Sequence, residues 1–171
     1  IIFISLTTSI KADLNKNLIN QLDDGGKLIF IRHAYAPGNG DPNNFNLNDC
    51  STQRNLNSIG QKQAKEIGEF FRVNKIKIHK VLSSEWCRCK ETADIAFNNY
   101  STISFLNSFY SSKYVKNKDK QLEELNNYVK KCKGNKNLIF VTHYVLISEV
   151  LNYGPSSGEI IVSDKNFNIV G

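Results

Sequence analysis

Two of the chain's three histidines end runs of large apolar residues. Leu28-Ile29-Phe30-Ile31 leads into Arg32-His33, and Leu138-Ile139-Phe140-Val141 leads into Thr142-His143. A second arginine, Arg88, follows a third apolar stretch that closes on Ser83-Ser84. These residue types suit phosphoryl transfer. That chemistry needs a nucleophile for phosphorus, cations and amide donors for three equatorial oxygens, and an acid for the leaving alkoxide. A neutral imidazole can attack phosphorus and carry it as a phosphohistidine, provided its other ring nitrogen is fixed as a donor. A guanidinium fork matches two phosphate oxygens at once. His33 is placed to be the nucleophile, and Arg32, Arg88 and His143 to hold the phosphate.

These residues can meet only if the elements before them lie side by side. An uninterrupted apolar run reads as a strand buried on both faces, as in a parallel sheet. Ligand sites of open α/β sheets lie just beyond the carboxyl ends of such strands. The pattern predicts strands at 27–31, 77–82 and 138–142. Helices are predicted at 58–72, with an inner stripe of Ile59, Gln63, Ile67, Phe70 and Phe71 and with Ala64 and Gly68 allowing close packing, and at 85–98, 119–131 and 144–152. Between Ala34 and Asn57, Pro37, Gly38, Gly40 and Pro42 forbid regular structure. This long loop leaves the candidate site directly, so it is assigned to function. Residues 100–117 read as irregular with a short helix, and 159–170 as a hairpin turning at Asp164-Lys165-Asn166. Strands alternating with helices imply an α/β three-layer sandwich: a mostly parallel central sheet, helices on both faces, and an antiparallel edge hairpin. His79 precedes its strand and is read as structural, and Trp86 and Phe97 as core.

At 171 residues, 40% hydrophobic and 22% charged, the chain is long enough for one domain with its own core. Residues 1–26 are read as an N-terminal segment and 27–171 as the domain. The net charge is +6. Its lysine-rich stretch, Lys113 to Lys136, lacks the interleaved aromatics and arginines of a nucleic-acid surface, so no nucleic-acid partner is expected. The excess charge favours anionic ligands instead. No apolar stretch is long enough to span a membrane. The segment Ile1 to Leu6, followed by polar residues, reads as the tail of a secretory signal in preference to a strand, which predicts a periplasmic or secreted protein over a cytoplasmic one. Of the four cysteines, Cys87 and Cys89 lie too close on one helix to bond each other, and no Cys-x-x-Cys pair suggests zinc. An exported chain would accommodate one or two disulfides among Cys50, Cys87, Cys89 and Cys132, with Cys50 a natural tether for the long loop.

Four motifs stand in order along the chain: Arg32-His33-Ala34, then Leu56, Gly60, Gln63 and Ala64, then Ser83, Ser84, Arg88, Thr92 and Ala93, and finally His143. The long loop adds a pattern of its own, Ala36-Pro37-Gly38 through Asp49-Cys50-Ser51-Thr52-Gln53-Arg54-Asn55. In the four motifs the chain resembles the histidine phosphatase superfamily, the phosphoglycerate-mutase-like phosphatases, and in the loop it is similar to a branch of small, often exported bacterial members. Ala34 stands where the family usually has glycine, and Cys89 where alanine is common. The resemblance implies hydrolysis of a phosphate monoester through a phosphohistidine on His33. Arg32, Arg88 and His143 would form the phosphate pocket. It implies no metal and no cofactor, and as partner a small phosphorylated substrate such as a sugar phosphate. The mutase-like branch takes its proton donor from an acidic insertion, but Ser101 to Lys118 contains no Asp or Glu; the acid-phosphatase branch uses an aspartate where this chain has Tyr144. The first-ranked donor is therefore Glu159, with Asp49, Asp41 and Glu85 as the other candidates. Mutase-type phosphoryl transfer and a non-catalytic phosphate-binding protein on the same fold are the alternative readings. Gln53 and Arg54 either reach the substrate or tie down the loop.

Overall fold

The computed structural model describes residues 16–171. The expected signal remnant at 1–12 lies outside them. Residues 16–24 form a helix (α1) in what the sequence offered only as a polar lead-in. The remaining elements are β1 (Leu28–Arg32), α2 (Ser58–Val73), β2 (Lys80–Ser83), α3 (Cys87–Phe97), β3 (Ser101–Thr102), α4 (Lys118–Lys131), β4 (Leu138–Thr142), α5 (Tyr144–Leu151) and β5 (Ile160–Ser163). The strands form one sheet in the order β3-β2-β4-β1-β5. All pairings are parallel except β1 with β5 at the edge.

Alternation along the strands divides the core into two layers. Ile29, Ile31, Ile139 and Val141 face Leu22 of α1, Ile67 and Phe71 of α2, and Ala93 and Ala96 of α3. Leu28, Phe30, Leu138 and Phe140 face Leu125 and Val129 of α4, and Leu146 and Ile147 of α5. Each fully buried side chain of this size contributes about 1.5–3 kcal/mol, so the register is strongly fixed. That register pairs Arg32 with Thr142. The next residue on each strand is a histidine, so His33 and His143 emerge side by side.

Three expectations need correction. The inner stripe of α2 is Gly60, Ala64, Ile67, Gly68 and Phe71, while Ile59 is 64% exposed. The stripe turns because the glycines are contact points: a Cβ on Gly60 would strike the Tyr35 carbonyl, and one on Gly68 the Ala96 carbonyl. The second strand starts at Lys80, since His79 N–H is taken by the Asn137 carbonyl (3.0 Å) just before β4 begins. Residues 100–117 contain a two-residue strand and two short 3-10 turns, Ser104–Leu106 and Val115–Asn117. The hairpin is present, with Asp164 accepting from the amides of Asn166 (2.8 Å) and Asn168 (2.9 Å) to close the turn.

The close approach at Gly68 sets the distance between α2 and α3, and α3 carries Arg88. Gly68→Ala is expected to cost about 1–3 kcal/mol by overpacking, read in a thermal melt as a midpoint lowered by roughly 3–10 °C. An unchanged midpoint would mean that the two helices part without cost.

Candidate active site

The end of β1 positions His33. Its N–H donates to the Thr142 carbonyl (2.9 Å), which continues the β1–β4 ladder by one residue. Its ring Nδ1 donates to the Ala34 carbonyl (2.8 Å), which fixes the tautomer. Nε2 therefore presents its lone pair, and Arg88 Nε donates to it at 3.2 Å. His143, one residue past β4, has its ring centroid 5.5 Å from that of His33. Its Nε2 lies 2.8 Å from Ser84 Oγ, which in turn donates to Asn107 Oδ1 (3.0 Å). Its Nδ1 lies 3.5 Å from Arg88 Nη2. Ser84, at the end of β2, thus orients one histidine, and Arg88, from the first turn of α3, touches both.

Burial and then the Arg88 charge push the pKa of each histidine well below its usual value, with Arg54 and Arg32 adding to the effect. Both rings are neutral near pH 7. Below about pH 6.5 an unfolded histidine takes a proton that the native ring refuses. Stability should therefore be flat above that pH and fall as the pH drops from it toward the lowered native values, by at most about 1.4 kcal/mol per pH unit for each ring. Melting curves between pH 8 and pH 5 test this; a midpoint that rises on acidification would contradict neutral histidines.

Arg32 is half-buried. Its Nη1 donates to the Pro155 carbonyl (2.9 Å), its guanidinium lies over the Tyr144 ring (5.4 Å), and its buried Nε has no hydrogen-bond partner among the described residues. Cys89 Sγ lies 3.4 Å from His143 Nε2, and burial pushes this thiol up to about 12, so it stays protonated. The structure thus brings Arg32, His33, Arg88 and His143 to one cavity of about 530 Å³. Phe45, Trp86, Tyr110 and Tyr114 form an aromatic wall on it, with Lys113 at the edge.

The four candidate acids separate. Glu159 is outside the cavity: its carboxylate accepts from Tyr153 Oη and from the Ser156 amide, both at 2.6 Å. Its main chain belongs to the site's frame, since its carbonyl accepts from Arg32 N–H (3.2 Å). Asp49 caps its own turn through Ser51, and Glu85 accepts from Asn107 Nδ2 (2.6 Å). Asp41 lines the cavity. Its two oxygens receive Arg88 Nη1 (2.7 Å) and Nη2 (3.2 Å), and also the Arg54 amide (3.1 Å) and Trp86 Nε1 (3.0 Å). Burial opposes ionisation of Asp41, but the Arg88 hydrogen bonds and charge prevail and hold its pKa below the usual carboxylate range. Nothing in the sequence distinguishes Asp41 from Asp49, because the loop's path decides between them.

That path is held by side chains. Gln53 donates to the carbonyls of Asn46 (3.0 Å) and Leu47 (3.1 Å) and accepts from Cys87 N–H (2.9 Å). Arg54 donates to the carbonyls of Gly40 (2.8 Å) and Ala36. Both residues tie the loop, and Arg54 also lines the cavity. A disulfide joins Cys50 to Cys87, the residue before Arg88, while Cys89 and Cys132 are free. Trp86 is buried, as expected of core, and also serves the site through its indole N–H.

The sequence from 28 to 105 matches the model of the Histidine phosphatase superfamily (branch 1). Over that segment the chain is similar to the histidine phosphatase superfamily. That match contains Arg32, His33 and Arg88; His143 lies beyond it and is joined to them by the sheet register. The fold is shared with solved structures at low identity. The protein histidine phosphatase SixA in complex with tungstate is 17% identical, over 84% of this chain and 92% of that one, with a TM-score of 0.53. A candidate α-ribazole-5′-P phosphatase from Escherichia coli is 15% identical over 81% and 90%, with a TM-score of 0.61. A mutant phosphoserine phosphatase from Entamoeba histolytica, in complex with phosphoserine, is 18% identical over 80% and 89%, with a TM-score of 0.57. No curated protein sequence matches the chain. Among the described residues, no helix is long and apolar enough to cross a membrane.

Proposed function

We propose that the protein is a phosphatase that hydrolyses a small phosphate monoester through a phosphohistidine on His33. The observation that carries this reading is the His33 ring: its tautomer is held by the Ala34 carbonyl and its Nε2 is aimed into a cavity lined by arginines. Arg32, Arg88 and His143 hold the equatorial oxygens while Nε2 attacks phosphorus in line. The charge of the two arginines sits where the transition state spreads its own, in a partly dry site where each contact counts for more than in water. Water then cleaves the phosphorus–nitrogen bond and restores the neutral ring.

The walls support a small substrate over a protein one. The cavity of about 530 Å³ is in the range of small-molecule sites. Its aromatic wall offers faces for the C–H groups of a sugar, and Lys113 offers a second cation, so a sugar phosphate is the favoured class. Related structures are a protein histidine phosphatase and a phosphoserine phosphatase, so a phosphorylated side chain is the comparison to include. The Cys50–Cys87 disulfide supports an exported protein, because such bonds persist in oxidising compartments.

The test is a panel of sugar phosphates, phosphoserine and an aryl phosphate, with inorganic phosphate release as the readout. Turnover of the aryl ester with preference for one sugar phosphate is expected. No release from any phosphate ester would end the phosphatase reading.

A further inference from the structure

We propose that Asp41 is the proton donor of the reaction, and that the incoming phosphate frees it for that task by taking its place on Arg88. The proposal rests on the phosphatase reading above and adds a residue and an exchange to it.

Three observations carry the proposal. Among the candidate carboxylates only Asp41 lies in the cavity; Glu159, Asp49 and Glu85 are each engaged outside it. Asp41 holds the Arg88 fork with two oxygens, at 2.7 and 3.2 Å. A phosphate would use the same two-pronged geometry, so the two anions compete for one guanidinium. The other partners of Asp41, the Arg54 amide and Trp86 Nε1, do not depend on Arg88. Asp41 itself belongs to a loop fixed by Arg54 and by the disulfide, so the displaced carboxylate stays at the mouth. His33 is 2% exposed and forms the floor. In-line attack puts the leaving oxygen on the opposite side of phosphorus, toward the mouth.

The exchange also changes the chemistry of Asp41. It faces Arg88 and Arg54, with the Cys89 thiol close by. Bound to Arg88 it is an anion and a poor acid. Beside a phosphate dianion that has claimed Arg88, its protonated form is favoured. The Nε2–phosphorus bond then forms, the bond from phosphorus to the leaving oxygen breaks, and the Asp41 proton passes to that oxygen. In the second step the resulting carboxylate takes a proton from the attacking water as the phosphorus–nitrogen bond breaks. Inorganic phosphate then departs, Asp41 gives up its proton to solvent as it pairs with Arg88 again, and the cycle closes with His33 neutral and Asp41 ionised.

Three readouts test this with Asp41→Asn and wild type. On phenyl phosphate, whose leaving group needs a proton, the single-turnover rate of phosphoryl transfer to His33 should fall about 100-fold, while on p-nitrophenyl phosphate that rate stays within about threefold. Sulfate remains a dianion from pH 5 to 8. By calorimetry it should bind Asp41→Asn about tenfold more tightly, since no carboxylate has to be displaced, a gain of about 1.4 kcal/mol. Sulfate binding to wild type at pH 7, compared in two buffers of different ionisation enthalpy, should take up a proton that Asp41→Asn does not. Equal loss on both esters, unchanged or weaker sulfate binding, or no proton uptake by wild type would each overturn the proposal, as would a leaving-group-selective loss in Glu159→Gln. The wild-type proton measurement stands if the variant fails to fold. If wild type binds sulfate but hydrolyses neither ester, the phosphatase reading fails and the sulfate readouts still decide the exchange.

Discussion

His33→Ala is expected to lose hydrolysis of an aryl phosphate by a factor on the order of 10⁴–10⁶, the scale at which removal of an attacking residue acts. No neighbour can take over. His143 Nε2 is engaged by Ser84, and the Cys89 thiol is buried and stays protonated, its pKa near 12. The variant keeps Arg32, Arg88 and His143, so its affinity for inorganic phosphate should change by less than about tenfold, near 1.4 kcal/mol. The two readouts together separate loss of the nucleophile from loss of the pocket. A phosphoryl group trapped on wild type should be acid-labile, as a phosphorus–nitrogen bond is, and absent from His33→Ala. Full activity in His33→Ala would refute the covalent route.

Arg88→Ala is expected to be the most damaging change outside His33. The guanidinium touches His33, His143 and Asp41, so one truncation removes a transition-state cation and a structural pair together. Loss of such a donor typically lowers kcat about 10²–10³-fold. Asp41, with only 17% of its side chain exposed, is left without its counter-ion. The expected cost is about 1–3 kcal/mol, less than for a fully buried pair because the carboxylate borders the cavity and can be rehydrated. Arg88→Lys keeps the charge without the fork and should recover only part of the activity. The double variant Arg88→Ala with Asp41→Ala should melt above Arg88→Ala alone, since the orphaned charge is gone. If the double variant melts lower by the sum of the two single effects, the ion pair carries no stability.

Much of the floor of the site was legible in the sequence, because it is made by the residues most constrained by burial. Apolar runs as dense as Leu28 to Ile31 and Leu138 to Val141 fit only a strand covered on both faces, so the positions of His33 and His143 followed. Arg88 was legible because a helix beginning after Ser83-Ser84 has to start near the rim. The first turn of the α2 stripe was misread, since hydrophobic patterning counts side chains and misses the contact that Gly60 makes by having none; Ala64 and Gly68 were legible as points of close packing. Asp41 and Glu159 both stood among the candidate acids, but which of them lines the cavity was not legible. The loop from Ala34 to Asn57 is shaped by side chains bonded to distant carbonyls, such as Gln53 to Asn46 and Arg54 to Ala36, and such bonds leave no period in a sequence. The partner of Cys50 was open for the same reason.

The register that pairs Arg32 with Thr142 bears on how such a chain can change over evolutionary time. His33 and His143 are spaced by neighbouring strands, about 4.8 Å apart, so backbone hydrogen bonds hold the gauge of the floor. No side-chain replacement resizes it, and a shift of register would turn the core inside out. The floor is in effect a fixed socket for one tetrahedral anion. New specificities have to arise in the walls, from positions such as Phe45, Tyr110 and Lys113, where a substitution costs the sheet nothing. A library confined to those positions should yield altered substrate preferences far more often than one of equal size drawn from the strand ends.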